Sequence, residues 1–429
     1  MILDEMHILS KMLPRDKQRA ETGDLVLEGN QHCDVVVEPA QLSGSIAAIP
    51  SKSYAQRILI AAALASSFGR PPEIQLNYVS DDVKACITAL QSLYAAKRDL
   101  EVVGSTSRSI NCGESGTVAR LLLPVATALV WQGTLTGEGS LLARPFETLC
   151  TSLEQGGKLR FDQYALPLSW EGRLQPGAYH LPGDESSQYV SALLFALPLL
   201  SASSTITLTS PLESAGYVDV TLDVLQQFGI SSDYNAVTCT YTVDPQQYRS
   251  PGSISVEGDW SNAAFWLAAG IEVTGLKSDS LQRDRNFLQV KDQARIDATD
   301  IPDLVPILSV YAALRKGITC IHGIERLRIK ESDRTKTTLA MLQALGCKAE
   351  LRSGSQSDGS EELIIQGTTT IPGGGTVDGA NDHRIVMAAA IAASFAKSPV
   401  TITGAQAVAK TYAHFFDDFQ DLGGKVHVI

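Results

Sequence analysis

Closely spaced cysteine pairs are missing from this chain, although it contains seven cysteines. None belongs to a C-x-x-C pair, and none has a histidine partner at the spacing of a metal ligand. This scatter argues against a structural zinc site and favours a reducing compartment. The positions are Cys33, Cys86, Cys112, Cys150, Cys239, Cys320 and Cys347.

Basic clusters and long apolar runs are missing as well. The formal net charge is −12, and no run of lysine or arginine suggests binding to nucleic acid or to a membrane. No apolar run reaches the ~18 residues of a membrane span. Residues 1–30 lack the apolar core of a signal peptide and are interpreted as an extension, so we expect a cytoplasmic protein.

The sequence does contain a repeated unit, which is clearest at residues 183–209. A polar Gly/Asp/Ser segment offers N-cap side chains, an Ala/Leu-rich stretch of helical length follows, and a β-branched run with period two ends the unit. Six such loop, helix and strand units occur, at 50–76, 113–136, 183–209, 258–274, 300–321 and 381–403. Their helices are apolar nearly all round, which predicts that they are buried.

A second, more amphipathic kind of helix lies between the units and stops at glycine. The four stops are Gly156, Gly229, Gly346 and Gly423. Six units in 429 residues predict an α/β protein of two domains with three repeats each. Hinge-like segments at 48–51 and 250–253 predict an inserted domain at 51–256 and a discontinuous domain of 31–50 and 257–429.

Basic residues recur in or beside the loops that precede these helices. A helix N-terminus carries about half a positive charge and unpaired N–H groups, so it attracts anions. A single arginine there is more often a surface ion-pair partner, and K-E-S-D-R alone is more often a charged helix start. Recurrence at equivalent places favours instead a site for a substrate pair with several phosphate or carboxylate charges. The cations are Lys52, Arg57, Arg120, Arg144, Lys330, Arg334, Arg384 and Lys410.

Eight short motifs occur in the order seen in the 5-enolpyruvylshikimate-3-phosphate synthase family, which the chain resembles over about residues 33–429. The motifs are K-S-x-x-x-R from Lys52, G-x-x-G-T-x-x-R from Gly113, A-R-P from Ala143, S-S-Q from Ser186, I-P-D from Ile301, K-E-S-D-R from Lys330, N-D-H-R from Asn381 and A-K-T from Ala409. The resemblance implies two inverted α/β barrel domains, each of three βαβαββ repeats with buried helices and outer sheets, which close on a site between them.

The resemblance also implies the reaction. The carboxyvinyl group of phosphoenolpyruvate passes to the 5-hydroxyl of shikimate 3-phosphate and phosphate is released, in the route to aromatic amino acids. No metal or organic cofactor and no nucleic-acid or membrane partner is expected, and a monomer is expected.

Residue roles follow from the same resemblance. Shikimate 3-phosphate is expected to contact Lys52, Ser53, Arg57, Ser186, Ser187, Gln188, Ser214, Asp303 and Lys330. Phosphoenolpyruvate is expected to contact Lys52, Gly116, Arg144, Gln188, Arg334, Arg384 and Lys410. Arginine forks suit carboxylate and phosphate groups, which explains the residue type.

The acid and base of the reaction are also implied. Asp303 resembles the group that takes the proton from the 5-hydroxyl, and Glu331 the group that protonates the methylene carbon, with Lys330 and Lys52 beside them. Nearby cations should keep Asp303 ionised, whereas Glu331 must give up a proton and should have the higher pKa in the complex.

Some positions depart from the family pattern. Glu114 replaces a usual asparagine and places a carboxylate beside an anion site, unless an arginine such as Arg120 pairs with it. Further departures are Ala55, Leu121, Ala215, Gly216 and Arg326. Gly116 is retained, so we expect glyphosate, the inhibitor of the phosphoenolpyruvate site in this family, to compete with that substrate.

Two other interpretations of the sequence are open. The sister family, UDP-N-acetylglucosamine enolpyruvyl transferase, carries a reactive cysteine where this chain has Gly139 and a Lys-Asn start where it has Lys52 and Ser53. A non-enzymatic repeat scaffold would explain the repeats. It would not explain the cations at the loops or the presence of Asp303 and Glu331 among them.

Overall fold

The computed structural model of the protein describes residues 32–104, 108–353 and 360–429. The extension proposed at 1–30 therefore lies outside the described residues. The described residues divide into two compact units, unit 1 containing Lys52–Val256 and unit 2 containing residues 32–51 together with Glu257–Ile429.

The α-helices are distributed over both units. They are α1 (Lys52–Ser66), α2 (Asp81–Val103), α3 (Gly116–Leu129), α4 (Glu147–Leu153), α5 (Ser187–Ala196), α6 (Ala215–Gln227), α7 (Trp260–Ala268), α8 (Phe287–Val290), α9 (Val305–Ala313), α10 (Arg334–Ala344), α11 (His383–Ser394) and α12 (Phe415–Asp421). The long helix α2 was not among the helices that the repeat pattern predicted.

The strands are short. They are β1 (Val35–Glu38), β2 (Ser45–Ala47), β3 (Glu73–Gln75), β4 (Ser109–Asn111), β5 (Gln132–Thr136), β6 (Leu159–Phe161), β7 (Leu168–Gly172), β8 (Ala178–Leu181), β9 (Ser204–Leu208), β10 (Asp233–Asn235), β11 (Thr240–Val243), β12 (Ser253–Ser255), β13 (Glu272–Thr274), β14 (Arg295–Asp297), β15 (Gly317–His322), β16 (Lys348–Ser353), β17 (Glu361–Gly367), β18 (Ile371–Gly373), β19 (Thr376–Asp378), β20 (Ala396–Ser398), β21 (Val400–Thr403) and β22 (Lys425–Val428).

Four of the six repeats share one sheet topology, whereas the strands of the repeats at 50–76 and 258–274 lie in two-stranded sheets. In unit 1 the strand orders are β4-β5-β7-β6 and β8-β9-β11-β10, and in unit 2 they are β14-β15-β17-β16 and β19-β21-β1-β22. In each sheet the first pair is parallel and is joined through a helix, and the other two pairs are antiparallel. The same βαβαββ unit is therefore built from different parts of the sequence, and the predicted α/β class is confirmed.

Strand pairs that are distant in sequence tie the ends of each unit together. The early strand β2 pairs with β13, and the late strand β12 pairs with β3, both in parallel. Strand β1 lies between β21 and β22 and completes the last sheet of unit 2. The chain thus leaves unit 2 after its first strands and returns to it only after unit 1 is complete.

The Ala/Leu-rich helices form the cores, as their all-round apolar character predicted. Every residue of α11 is buried, and α1 is buried from Tyr54 onward. Helix α5 packs against α3 and α6, and α9 packs against α11. Burial of each leucine or isoleucine stabilises the fold by about 1.5–3 kcal/mol relative to exposure. Each of these helices begins at a polar loop, so the loops are held in place by the cores.

The ends of the helices follow the predicted chemistry. The side chains of Ser186, Asp259, Asp333 and Asp382 accept hydrogen bonds from backbone N–H groups in the first turns of α5, α7, α10 and α11. Left-handed glycines follow α6, α10 and α12 at the predicted stops. After α4 the left-handed residue is Gly157 and not the predicted Gly156, because a short 3-10 turn, Glu154–Gly156, extends the helix.

All seven cysteines are free thiols. No helix within the described ranges combines the length and the apolar character that a membrane span requires.

Candidate functional site

The N-terminus of α1 carries the first predicted site residues in unit 1. Lys52 is the first residue of the helix, and its Nζ lies 2.9 Å from Oδ2 of Asp82 at the start of α2. Both side chains are mostly buried, with exposed fractions of 14% and 13%. The ammonium group is thus held by a carboxylate that the sequence motifs did not identify.

Arg57 lies one turn further along α1 and is almost completely buried. Its Nε donates to Oγ1 of Thr221 at 2.7 Å, and its Nη groups donate to the carbonyl oxygens of Ser53 at 3.0 Å and Tyr217 at 3.2 Å. Burial lowers the pKa of Arg57 to about 10, and the neighbouring Tyr217 and Tyr54 act in the opposite direction. Because Thr221 and Tyr217 belong to α6, Arg57 joins the starts of two helices.

Ser115 and Gly116 form the start of α3. Nε2 of Gln56 donates to Oγ of Ser115 and to the carbonyl oxygen of Asp82, both at 3.2 Å, so this start is tied to the neighbourhood of Lys52. A Cβ atom at Gly116 would overlap Nη1 of Arg144. The absence of a side chain at Gly116 therefore lets the Arg144 guanidinium lie against the helix N-terminus.

Gln188 lies between two of the repeat helices. Its Oε1 accepts from Nη1 of Arg120 at 3.0 Å, and its Nε2 donates to Oγ1 of Thr117 at 2.9 Å. The guanidinium of Arg120 also stacks on Phe146 and Tyr189, with centroid distances of 5.9 and 5.6 Å. The N-terminal turns of α3 and α5 are thereby held together.

Three serines that are expected to contact shikimate 3-phosphate are buried in unit 1. Ser186 caps α5, where its Oγ accepts from the backbone N–H of Gln188 at 3.3 Å, and Ser187 is the first residue of that helix. Ser214 precedes α6 in a left-handed conformation with φ of 52°. All three hydroxyl groups therefore belong to helix N-termini, where backbone dipoles favour anions.

Glu114, the carboxylate that departs from the family pattern, lies against Gly139. A Cβ atom at Gly139 would overlap the Glu114 carboxyl group. Arg120 donates to Gln188 and, at 3.4 Å, to the carbonyl oxygen of Pro145.

Unit 2 contains a different kind of cluster, centred on Arg334. Its guanidinium is fully buried; Nε donates to Asp382 at 2.9 Å, Nη1 donates to Asp303 at 2.7 Å, and Nη2 donates to Glu331 and, at 3.2 Å, to Asp382. Burial alone would lower the pKa of Arg334, but Asp382, Glu331 and Asp303 together raise it above its usual range. Three carboxylates therefore surround one permanent cation.

Asp303 lies at the start of α9 in the 3-10 turn Pro302–Leu304. Its Oδ1 lies 3.5 Å from Nζ of Lys330, and its Oδ2 lies 3.4 Å from Nη2 of Arg384. Burial acts to raise the pKa of Asp303, but Arg384, Lys330 and Arg334 hold it well below the usual range. Asp303 is accordingly ionised and in contact with three cations.

The remaining predicted residues of unit 2 lie close by. Nζ of Lys410 donates to the carbonyl oxygen of Asn381 at 2.9 Å, next to the cap of α11. Burial lowers the pKa of Lys330, and the attraction of Asp303 offsets this only in part. Unit 2 thus brings together Asp303, Lys330, Glu331, Arg334 and Arg384.

Three carboxylates of these clusters had no role in the sequence-based prediction. Asp382 belongs to the N-D-H-R motif, but the sequence alone could not predict its hydrogen bonds with Arg334. Asp82 and Asp284 had no motif, although Asp82 stands in the polar start of a helix. Asp284 lies on the 3-10 turn Arg283–Asn286, which packs against α7, and its carboxylate accepts a hydrogen bond from Oγ of Ser261.

The chain is similar to proteins of one family. The family model described as EPSP synthase (3-phosphoshikimate 1-carboxyvinyltransferase) matches residues 36–294 and 269–419. A protein of that name from Clostridium novyi is 35% identical, with 91% of this chain and 98% of the relative covered. The corresponding protein of Clostridium kluyveri is 36% identical with the same coverage.

Solved structures show the fold. EPSP synthase from Acinetobacter baumannii aligns with a TM-score of 0.71 at 20% identity, covering 92% of this chain and all of that one. This likeness agrees with the α/β architecture of the two units.

Proposed function

The chain belongs to the EPSP synthase (3-phosphoshikimate 1-carboxyvinyltransferase) family, and on this premise we propose that it joins phosphoenolpyruvate to shikimate 3-phosphate. The carboxyvinyl group passes to the 5-hydroxyl of shikimate 3-phosphate, and phosphate leaves. The observation that carries the proposal is the unit 2 cluster, in which Asp303 and Glu331 both contact Arg334.

Asp303 acts as the base. It accepts the proton of the 5-hydroxyl while that oxygen bonds to the central carbon of phosphoenolpyruvate. The low pKa of Asp303 keeps it in the acceptor form at neutral pH, since Arg384, Lys330 and Arg334 favour its charged state.

Glu331 acts as the acid. It donates a proton to the methylene carbon as the C–O bond forms. Because the product again carries a vinyl group, the methyl carbon must lose a proton when the bond to phosphate breaks, so a carboxyl group at this place serves both steps. The ammonium group of Lys52 assists by binding the substrates, and Asp82 holds this group in place.

The cations bind the substrates. We assign phosphoenolpyruvate to Lys52, Gly116, Arg144, Gln188, Arg334, Arg384 and Lys410. We assign shikimate 3-phosphate to Lys52, Ser53, Arg57, Ser186, Ser187, Gln188, Ser214, Asp303 and Lys330. Bidentate guanidinium contacts and helix N-termini support these assignments, since both favour carboxylate and phosphate.

The organisation of the chain is part of the proposal. Unit 1 is the inserted domain at 51–256, and unit 2 is the discontinuous domain of 31–50 and 257–429. We place the reaction in the cytoplasm, which the free thiols support, and expect a monomer that needs no metal or organic cofactor.

A phosphate-release assay tests the function. Phosphate should appear when phosphoenolpyruvate and shikimate 3-phosphate are added together, and not when either is added alone. Release with UDP-N-acetylglucosamine in place of shikimate 3-phosphate would support the sister reaction instead, and no release with either acceptor would contradict the proposal.

A further inference from the structure

Gln56 is a buried amide side chain of unit 1 that no motif specifies and no proposed substrate contact uses. It lies one helical turn after Lys52 on α1 and therefore on the same face of that helix. Its exposed fraction is 0%. Its Nε2 donates to the carbonyl oxygen of Asp82 and to Oγ of Ser115, both at 3.2 Å. One amide group thus bridges the starts of α2 and α3.

Ser115 immediately precedes α3, at the position whose side chain usually caps a helix. A serine at this position normally accepts a hydrogen bond from a backbone N–H group of the first turn. Among the residues that the structure describes, no first-turn N–H group donates to the side chain of Ser115. The hydroxyl is buried and accepts from the Gln56 amide instead. The start of α3 is therefore left without a side-chain cap.

The backbone of Ser115 does not prevent capping. Its φ and ψ are −83° and 101°, and those of Asp259 before α7 are −84° and 108°. Asp259 does cap its helix, since its side chain accepts from the backbone N–H of Asn262. A serine also caps a helix within unit 1, because Ser186 caps α5. The orientation of the Ser115 side chain toward Gln56 is thus what distinguishes the start of α3.

An uncapped start suits the role that is proposed for α3. The first N–H groups of a helix have no partner within the helix and attract anions. The first residue of α3 is Gly116, which we assign to phosphoenolpyruvate, and the Arg144 guanidinium lies against it. A cap from Ser115 would occupy one of the N–H groups that the anion needs, and the hydrogen bond from Gln56 removes this competition.

We propose that Gln56 is a positioning residue: it holds the Ser115 hydroxyl away from the N-terminus of α3 and so keeps the first-turn N–H groups available to phosphoenolpyruvate. The inference rests on the proposed function, because it takes phosphoenolpyruvate as the anion at this helix start. Loss of the Gln56 amide should therefore weaken the binding of one substrate while the fold is kept.

Gln56→Met tests the proposal, because methionine has a similar shape but no N–H group to donate. Ser115 can then cap α3, and the KM for phosphoenolpyruvate should rise roughly 2–30-fold, the factor to which a typical capping bond corresponds. The KM for shikimate 3-phosphate should change much less, since Arg57 is held by Thr221 and Tyr217 of α6. Steady-state phosphate release with each substrate varied in turn measures both constants.

A double variant separates capping from a general loss of packing. When Gln56→Met is combined with Ser115→Ala, no hydroxyl remains to cap α3, so the KM for phosphoenolpyruvate should return to that of Ser115→Ala alone. Thr127→Val is the matched control, because it removes a buried side-chain hydrogen bond near the other end of α3 and should leave both KM values unchanged. A double variant whose KM stays as high as that of Gln56→Met overturns the proposal.

Amide hydrogen exchange of the free protein provides a measurement that needs no turnover. When the released hydroxyl caps α3, the first-turn N–H groups gain a partner and should exchange more slowly in Gln56→Met than in the wild type. A merely structural role of Gln56 would loosen α3 and speed this exchange, which would overturn the proposal. Ser115→Asn offers a longer capping side chain with Gln56 intact, so it should slow the same exchange and decides the test if Gln56→Met does not fold.

The outcomes distinguish this inference from the function beneath it. Phosphate release by the wild-type protein together with an unchanged KM for phosphoenolpyruvate in Gln56→Met overturns the role of Gln56 and leaves the function standing. A wild-type protein that releases no phosphate with both substrates overturns the proposed function, and the exchange rates of α3 then decide alone whether Gln56 controls the cap.

Discussion

The buried arginines of the two units have different partners, although Lys52 of unit 1 is also paired with a carboxylate, that of Asp82. In unit 1, Arg57 and Arg120 are held by hydroxyl, amide and carbonyl oxygens and by aromatic rings. In unit 2, Arg334 is held by three carboxylates, and Asp303 touches two further cations. Neutral partners orient a guanidinium without cancelling its charge, whereas carboxylates cancel it and acquire altered proton affinities.

This difference assigns different tasks to the units. A buried arginine with neutral hydrogen-bond partners, such as Arg57, keeps its positive charge available for anionic substrates, which is what phosphate binding needs. A set of interleaved carboxylates and cations separates the pKa values of neighbouring acids, which is what proton transfer needs. We therefore expect binding to depend more on unit 1 and proton transfer to depend more on unit 2. The following experiments test this division, in order of decreasing effect.

Asp303→Asn should have the largest effect on turnover. The amide keeps the shape and hydrogen-bonding capacity of the side chain but cannot accept the hydroxyl proton, so kcat should fall by roughly 10²–10⁴ while substrate binding survives. Steady-state phosphate release measures both kcat and KM. The exposed Asp279→Asn variant is the matched control, and near-native turnover of Asp303→Asn would show that unit 2 does not supply the base.

Asp382→Asn should have the largest effect on stability. Removal of one carboxylate leaves the buried Arg334 charge partly uncompensated, which costs about 3–5 kcal/mol. In unit 1, Thr221→Val removes a neutral partner of Arg57 and should cost only about 1–3 kcal/mol. Urea unfolding of both variants measures the two costs. Equal costs would mean that neutral and charged partners support the buried arginines equally.

Gly116→Ala should affect ligands of unit 1 selectively. The added methyl group would displace the Arg144 guanidinium from the helix N-terminus, and glyphosate, being longer than phosphoenolpyruvate, should be crowded more. We expect the variant to lose about 1–3 kcal/mol more affinity for glyphosate than for phosphoenolpyruvate, the effect of one steric group in a fitted pocket.

The inhibition constant for glyphosate and the KM for phosphoenolpyruvate provide the comparison for Gly116→Ala. Gly69→Ala is the control, because an added Cβ there meets nothing within 4 Å. Equal losses of inhibitor and substrate would place glyphosate away from Gly116. A wild-type protein that resists glyphosate would instead point to Glu114 or Leu121 as residues that reshape this helix start.

Local patterns explain how much of the fold the sequence could predict. The six helices with polar starts, the capping role of Ser186 and the stop at Gly229 depend on residues close in sequence, and all are present. The pairing of β2 with β13 joins positions more than 200 residues apart, and no local pattern encodes it.

Prediction of the candidate site from the sequence has the same limit. The recurrence of cations at helix starts was visible in the sequence, but the identity of their partners depends on tertiary contacts. Arg57 forms a hydrogen bond with Thr221, which is 164 positions away, and Lys52 forms one with Asp82, which is 30 positions away. Asp284 lacked any motif, and only burial beside Ser261 distinguishes it from an ordinary turn aspartate.

The smallest expected effect is a change in the pH dependence of stability. Because burial and Asp303 raise the pKa of Asp284 to about 7, the folded protein binds more protons at this group than the unfolded chain does between about pH 4 and pH 7. This contribution makes the protein less stable as pH rises through that window, by about 1 kcal/mol per pH unit at most. Asp303 has the opposite sign, since its lowered pKa contributes stability that is lost only below about pH 4.

The pH ranges in which Asp284 and Asp303 affect stability do not overlap, so the variant Asp284→Asn isolates the contribution of Asp284. Urea unfolding of wild-type protein and Asp284→Asn at about pH 5, 6 and 7 should give a difference in unfolding free energy that shifts in favour of the variant as pH rises. The exposed Asp279→Asn variant should run parallel to the wild type. A difference that stays constant with pH would mean that Asp284 is ionised throughout this range in both the folded and the unfolded state.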